Sequence, residues 1–352
     1  MDLSARHNTT QSFNVLILLN SLSGGGAESA MVALGNLLVE NGFAVKIVGI
    51  NSGPHFELNS VGTSITLNKR GKSLLRLIKS HFLLSRCVSE FRPDIVLLNC
   101  SLPELMGCFM INSGKIIVVE HAPFPWGKRK ILGQIVRRAL SIKGSHWVSV
   151  SENSSVWGLP NRRASYIPNL LPLRKEKSQH KVNEEINELM YVGRLSEVAK
   201  RPDWLIYISE KVKIPVNFVG EGDLYDHLQI LSKSKRVDAT FKGWLDNPWD
   251  GVSPNTILIV PSHWEGDGLV VIEAISAGIP ILVSDIPAFR KFNLPERHYC
   301  KSILDFSKRI EEFRSQLSQL RVTKSHVIKI QAERDSALIL KMWLNEFNSW
   351  GS

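Results

Sequence analysis

The residues best suited to chemistry lie in one stretch, PSHWEGDGLVVIEAISAGIPILVSD. An apolar run ends at Val260, a glycine-punctuated polar loop follows, and an apolar helical run starts near Gly268 or Leu269. A helix that begins just past the carboxyl end of a strand is an anion site, because its first N–H groups lack partners and its dipole points the same way. The N–H groups of Leu269 and Val270 would suit a diphosphate. Glu265 in the loop and Glu273, about five residues into the helix, would flank it and accept hydrogen bonds from vicinal hydroxyls of a sugar or ribose. Carboxylates at Glu265, Asp267 and Glu273 would also repel a diphosphate, so cations must come from elsewhere. The stretch YVGRLSEVAKRPDWLI supplies them: its strand ends at Gly193, and Arg194 and Lys200 stand at the mouth of the following loop. An Arg fork with a Lys point charge suits a diphosphate whose charge grows as a bond to it breaks.

Elements must position these residues, and the chain supplies them in alternation. FNVLILLN is a short apolar run fit for a strand buried on both faces, and it leads through SLSGGGAES into the helical stretch AMVALGNLLVENG. AVKIVGI, DIVLLN, KIIVVE and HWVSVS are further strands with helical stretches between them. A charged, apolar-poor stretch, RKEKSQHKVNEE (residues 174–185), reads as a linker, after which ELMYVGR, PVNFVG, ATFKGW, TILIVP and IPILVS restart the pattern. Alternating strand and helix predicts parallel, doubly wound sheets. The predicted organisation is a Rossmann-like α/β domain over residues 13–173, a second over 186–330, and a long helix over 331–350 packing back on the first. Two such domains make a cleft between them the expected ligand site.

Composition sets bounds on function. The chain has 352 residues, 43 Lys+Arg against 33 Asp+Glu, a net charge of +10 and 43% apolar residues, which excludes a disordered chain or a fibre. The excess belongs to the first half: residues 1–170 carry 18 Lys+Arg against 9 Asp+Glu, and residues 171–352 carry 25 against 24. Two stretches dominate it. KRKILGQIVRRALSIK sets Ile131, Leu132, Ile135, Val136, Leu140 and Ile142 at helical spacing, with Arg137 and Arg138 toward another side. SLLRLIKSHFLLSR is similarly amphipathic, with Arg76, Lys79 and Arg86. Each is expected to turn its apolar stripe to the core and its charges to water, and together they favour an anionic partner. The polar segment 1–12 has no apolar core of a signal peptide, and no run is long enough to span a membrane. Cys87, Cys100, Cys108 and Cys300 show no metal-ligand spacing and are expected to be reduced thiols in a cytoplasmic protein.

The two acidic positions in SHWEGDGLVVIEA, followed by SAGIPILVSD, with YVGRLSEVAK upstream and GGGAES near the start, resemble the retaining glycosyltransferases of family 4, which have the GT-B fold. The resemblance runs from about Phe13 to Phe289, with the motifs in the family's order. It implies that Glu273 holds a nucleotide ribose, that Glu265 contacts the donor sugar, and that N–H groups after Gly268 bind the diphosphate. Arg194 and Lys200 would neutralise the leaving phosphates. Gly24, Gly25 and Gly26 would let the first loop come close to donor or acceptor. His121, after KIIVVE, matches a family histidine near the transferred sugar, and Glu221 in FVGEGDL lies where the family binds the base. The family usually has an aromatic or apolar residue where this chain has Asp267, a departure that bears on which donor hydroxyls are read.

Competing chemistries fit less well. SGGGAES lacks the spacing of a dinucleotide fingerprint, and no acid closes AVKIVGI. There is no phosphate-loop lysine and no Asp-x-Asp, so no cofactor and no essential metal are expected. No nucleic-acid motif accompanies the basicity. The expected activity is transfer of a hexose from a nucleotide diphosphate, UDP above all, to a glycan acceptor. The basic first domain suggests a lipid-linked acceptor at an anionic membrane, such as a lipopolysaccharide or polysaccharide intermediate on the inner face of the cell membrane. A catalytically inactive GT-B partner subunit that binds a nucleotide sugar is the alternative.

Overall fold

A computed structural model describes residues 13–22, 25–51, 63–66, 74–110, 114–123, 125–152, 155–171 and 185–349. Most of the stretch expected as a linker, and Gly24, lie outside the described residues, as does the side chain of Arg76. The chain forms two compact units, Met1–Pro168 with Ile339–Ser352, and Asn169–Leu338.

In the first unit the elements run β1 (Asn14–Ser21), α1 (Gly26–Glu40), β2 (Ala44–Asn51), β3 (Thr63–Thr66), α2 (Leu74–Phe91), β4 (Ile95–Asn99), α3 (Ser101–Gly107), β5 (Lys115–Glu120), α4 (Lys130–Ile142), β6 (His146–Ser149) and β7 (Ser165–Tyr166). The strands form one parallel sheet in the order β3-β2-β1-β4-β5-β6-β7. β4 is buried along its whole length, as a strand covered by helices on both faces must be. On one face, Leu84 and Val88 of α2, Met106 of α3, and Val136 and Leu140 of α4 pack over Leu16, Leu18, Val96, Leu98 and Val118.

The second unit runs β8 (Glu188–Val192), α5 (Glu197–Lys200), α6 (Asp203–Val212), β9 (Val216–Val219), α7 (Tyr225–Lys235), β10 (Ala239–Phe241), β11 (Thr256–Val260), α8 (Leu269–Ser276), β12 (Ile281–Ser284), α9 (Pro287–Arg290), β13 (Tyr299–Cys300), α10 (Ile303–Glu312) and α11 (Lys324–Ala332), and the last helix, α12 (Ser336–Asn348), belongs from Ile339 onward to the first unit. Its parallel sheet has the order β10-β9-β8-β11-β12-β13, with an apolar cluster on each side. The tail expected as one long helix from residue 331 is two helices, α11 and α12, broken at residues 333–335. Asp335 causes the break: its carboxylate caps the new helix, accepting from the N–H groups of Ala337 and Leu338. Within the first unit, α12 sets Phe347 edge-on to Phe13 at 6.1 Å and brings Glu346 within 3.2 Å of His146.

Two helices differ from expectation in a way that matters. In α4 the buried face is Gly133, Val136, Arg137 and Leu140, while Ile131, Leu132, Ile135 and Ile142 are exposed. The reason is electrostatic. Arg137 is fully buried and its guanidinium grips Glu104 of α3 through Nε and Nη2 (2.9 and 2.7 Å) and also pairs with Glu120 at the end of β5. Trp126 Nε1 donates to the same Glu104 at 2.8 Å, and a Cβ on Gly133 would meet Trp126 at 2.3 Å. Satisfying two buried carboxylates outweighs burial of the isoleucines and fixes the helix rotation. In α2, likewise, Ser80, Leu84, Cys87 and Val88 face inward and Leu75, Ile78, Phe82 and Leu83 outward.

Arg137→Ala should therefore lower stability by roughly 3–5 kcal/mol, because it strands two buried carboxylates, whereas Arg138→Ala on the exposed face should cost under about 0.5 kcal/mol. Urea unfolding of the two variants checks this, and equal effects would contradict the buried triad.

Candidate functional site

The second sheet reverses its strand order between β8 and β11, and the crevice at the carboxyl ends of such neighbours is where open α/β sheets bind ligands. The loops leaving these two strands carry most of the expected site. After β11 the chain runs through Ser262 and Glu265 to Gly268, which takes a left-handed conformation (φ 72°) and opens α8. Gly268 is required twice over, since a Cβ there would lie 2.9 Å from Phe289 and the conformation itself disfavours any other residue. The Gly268 carbonyl receives the Val271 N–H, and no side chain caps the helix, so Leu269 and Val270 present their N–H groups beyond its first turn. Glu273, half-buried one turn further on, accepts from Trp249 Nε1 at 3.1 Å.

The loop after β8 is built on glycines. The Gly193 N–H bonds the Val219 carbonyl, and a Cβ on Gly220 would fall 2.0 Å from the Gly193 oxygen. A Cβ on Gly222 would fall 2.3 Å from the Leu195 oxygen. This backbone contact, with Leu195 N–H donating to the Glu221 carbonyl at 2.9 Å, seats exposed Glu221 beside exposed Arg194. Lys200, at the end of α5, reaches Glu265 with Nζ–Oε1 of 2.5 Å, and Ser262 Oγ donates to the same carboxylate at 2.8 Å. The α5 segment is held against the β11 loop by His263 N–H to the Ala199 carbonyl and by Arg201, whose guanidinium donates to the Pro261 and Ser262 carbonyls at 2.7 and 2.8 Å. Arg194, Lys200, Glu221, Glu265, Gly268, Leu269, Val270 and Glu273 thus occupy the loops and the helix starts that follow the carboxyl ends of β8, β9 and β11 in one sheet.

His121, Gly25 and Gly26 belong to the first unit. Half-buried His121 follows β5, and Gly25 and Gly26 open α1 after β1. The Gly25 backbone is extended (φ −174°), which any residue adopts, so conformation gives no reason for glycine there.

Asp267 departs from expectation. Its carboxylate is taken up by cations of the fold itself. It is buried, forming a two-pronged pair with Arg334 (2.7 and 2.6 Å), a third contact with Lys291 Nζ at 2.6 Å, and bonds from the Asn169 N–H and amide at 3.2 and 2.9 Å. Its repulsion of a bound diphosphate is cancelled within the fold. Arg334, Lys291, Asn169, Ser262, Arg201 and Trp249 are residues missed by sequence reasoning. Arg201 directly follows Lys200 and was within reach of it, but nothing local marks Arg334, 67 positions from its partner.

Burial pushes the Asp267 carboxyl up, but the hydrogen bonds and charge of Arg334, helped by Lys291, outweigh it and hold the pKa at about 2. The folded value is below the unfolded one of about 3.9, so the stabilisation, about 2 kcal/mol, is complete above roughly pH 4 and is lost as pH falls toward 2. Urea midpoints of wild type and Asp267→Asn should accordingly converge over that window. Curves that stay parallel from pH 5 to 2.5 would show that the carboxylate contributes nothing.

Comparison with known proteins agrees with this architecture. Residues 174–320 match the family model described as glycosyl transferases group 1. Among curated relatives, the O-antigen biosynthesis glycosyltransferase WclY of Escherichia coli is 25% identical over 214 residues, 57% of this chain and 61% of the relative, so this chain spans about three fifths of that protein. Among solved structures, Anabaena Alr3699/HepE in complex with UDP and glucose aligns with a TM-score of 0.75 at 14% identity, covering 96% of this chain and all of that one. A variant of S. aureus TarM in complex with Fondaparinux, alpha-GlcNAc-glycerol and UDP aligns with a TM-score of 0.76 at 13% identity and the same coverage. Two doubly wound parallel sheets and these likenesses establish a GT-B fold, and residues 174–320 of it are similar to the glycosyl transferases group 1.

Proposed function

We propose that the protein is a retaining, metal-independent glycosyltransferase of family 4 that moves a hexose from a UDP-linked donor to a glycan acceptor. The observation that carries this reading is the uncapped start of α8 at the strand-order reversal, beside the Lys200–Glu265 pair. In this reading the N–H groups of Leu269 and Val270 take the diphosphate, and Arg194 and Lys200 offset its charge as the sugar leaves. Glu273, steadied by Trp249, accepts from the ribose hydroxyls. Glu221 lies at the base, and Glu265 reads the sugar while Lys200 and Ser262 keep its carboxylate oriented. Binding of UDP by two proteins of the same fold supports the choice of nucleotide.

For retention, the acceptor oxygen attacks the anomeric carbon from the side the diphosphate is leaving. The carbon–phosphate-oxygen bond breaks, the new glycosidic bond forms on the same face, and the acceptor proton passes to a phosphate oxygen. His121 and the loop at Gly25 and Gly26 serve the sugar and acceptor in this scheme. The acceptor we assign is a lipid-linked glycan of the lipopolysaccharide or surface-polysaccharide type, met at the inner face of the cell membrane. Resemblance to an O-antigen biosynthesis enzyme and the basic first half of the chain support that class.

A screen of UDP-, GDP- and ADP-sugars for hydrolysis without acceptor should give turnover on a UDP-sugar. Silence on every donor, with UDP binding intact, would favour a nucleotide-sugar-binding partner subunit instead. Glu273→Ala should weaken UDP binding roughly ten- to a hundredfold by calorimetry, the loss of hydrogen bonds to a charged acceptor. Unchanged affinity would end the ribose assignment.

A further inference from the structure

The outward faces of α2 and α4 are the most unusual surface of the first unit. On α2, Leu75, Ile78, Lys79, Phe82, Leu83 and Arg86 are exposed and follow the spacing of a single helical face. On α4 the corresponding set is Ile131, Ile135, Arg138 and Ile142, preceded by exposed Lys128, Arg129 and Lys130. These are not marginal exposures: Leu75 is 78% exposed, Phe82 71%, Ile131 77% and Ile142 88%. A soluble helix turns such residues inward, and both helices here turn them outward.

The two faces join. Phe109, itself 61% exposed, lies in the turn after α3, and its ring meets His81 of α2 edge-on at 6.0 Å. From the other side, Lys143 just past α4 donates to the Met110 carbonyl at 2.8 Å, and Cys108 Sγ contacts the Val136 carbonyl at 3.3 Å. The inner faces of both helices share one apolar cluster on the same side of the sheet.

We propose that α2, the Phe109 turn and α4 form a surface that inserts into the interface of an anionic phospholipid bilayer. The composition selects this occupant. Apolar side chains alternate with lysines and arginines, the pattern of a helix lying in the headgroup region with its bases against phosphate. A second copy of the chain would need acids to oppose these bases. Among the described residues of the two helices the exposed face offers one carboxylate, Glu90, and Arg86 already holds it at 2.8 Å. No described helix is long and apolar enough to cross a membrane, so attachment here is a matter of a surface. The proposal rests on the reading of a lipid-linked acceptor and names the residues that would bring the enzyme to it.

The test is flotation of the full chain with vesicles of phosphatidylglycerol and phosphatidylcholine, against phosphatidylcholine alone, at low and high salt. Wild type should bind the anionic vesicles, with binding reduced but not abolished in high salt, since the apolar contribution is unscreened. Phe82→Gln and Ile135→Gln should each cut partitioning about tenfold, and Lys79→Gln and Arg138→Gln about fivefold, with the thermal midpoint unmoved. Binding of both vesicle types alike, binding of neither, or apolar variants that partition as wild type would each overturn the proposal. So would a concentration-dependent dimer that Phe82→Gln dissolves. UDP affinity of the same variants, measured without vesicles, separates the two readings: vesicle binding without UDP binding would leave this surface standing and remove the transferase.

Discussion

A charge taken into a protein interior must be met there, and this requirement shapes both units. In the first, Glu104 and Glu120 lie beneath α4, and only an arginine turned inward can answer both. In the second, Asp267 sits in the loop that opens α8, and the fold surrounds it with Arg334, Lys291 and Asn169. Each cluster fixes something larger than itself. Arg137 sets the rotation of a helix and hence which of its residues meet solvent. Asp267 anchors the loop between Glu265 and the first N–H groups of α8, with both of its carboxylate oxygens engaged by partners within the fold.

Much of the architecture was legible because its signals are local. The apolar runs at Phe13, Ile95, Lys115, Thr256 and Ile281 are short and bounded by turn residues, and each became a strand of a parallel sheet. The strand, loop and helix from Thr256 to Ser276 follow from composition and from Gly268, whose positive φ a glycine supplies at no cost. What stayed hidden depends on partners far along the chain. Nothing in KILGQIVRRALSI reveals that Glu104 waits 33 positions away, so the local pattern points to the wider stripe of isoleucines as the inner face. Asp267 looked like a donor-facing carboxylate for the same reason, its partners being 24 and 67 positions distant.

The loop chemistry shows a different economy. Gly193, Gly220 and Gly222 touch through backbone alone, and that closeness sets Arg194 beside Glu221. Lys200 is positioned by its neighbour, since Arg201 ties the end of α5 to the loop that bears Glu265. Side chains with no expected ligand contact thus decide where the expected ones stand.

The inward turn of Arg137 also alters the electrostatic character of the molecule's exterior. One cation enters the interior with two carboxylates, so the hidden part of that network is negative on balance, and burial pushes the Glu120 carboxyl up in response. The solvent-facing remainder of residues 1–170 is consequently more basic than the bare count of its side chains implies. Counter-ions drawn from solution, or the anionic surface of another body, must neutralise that excess from outside.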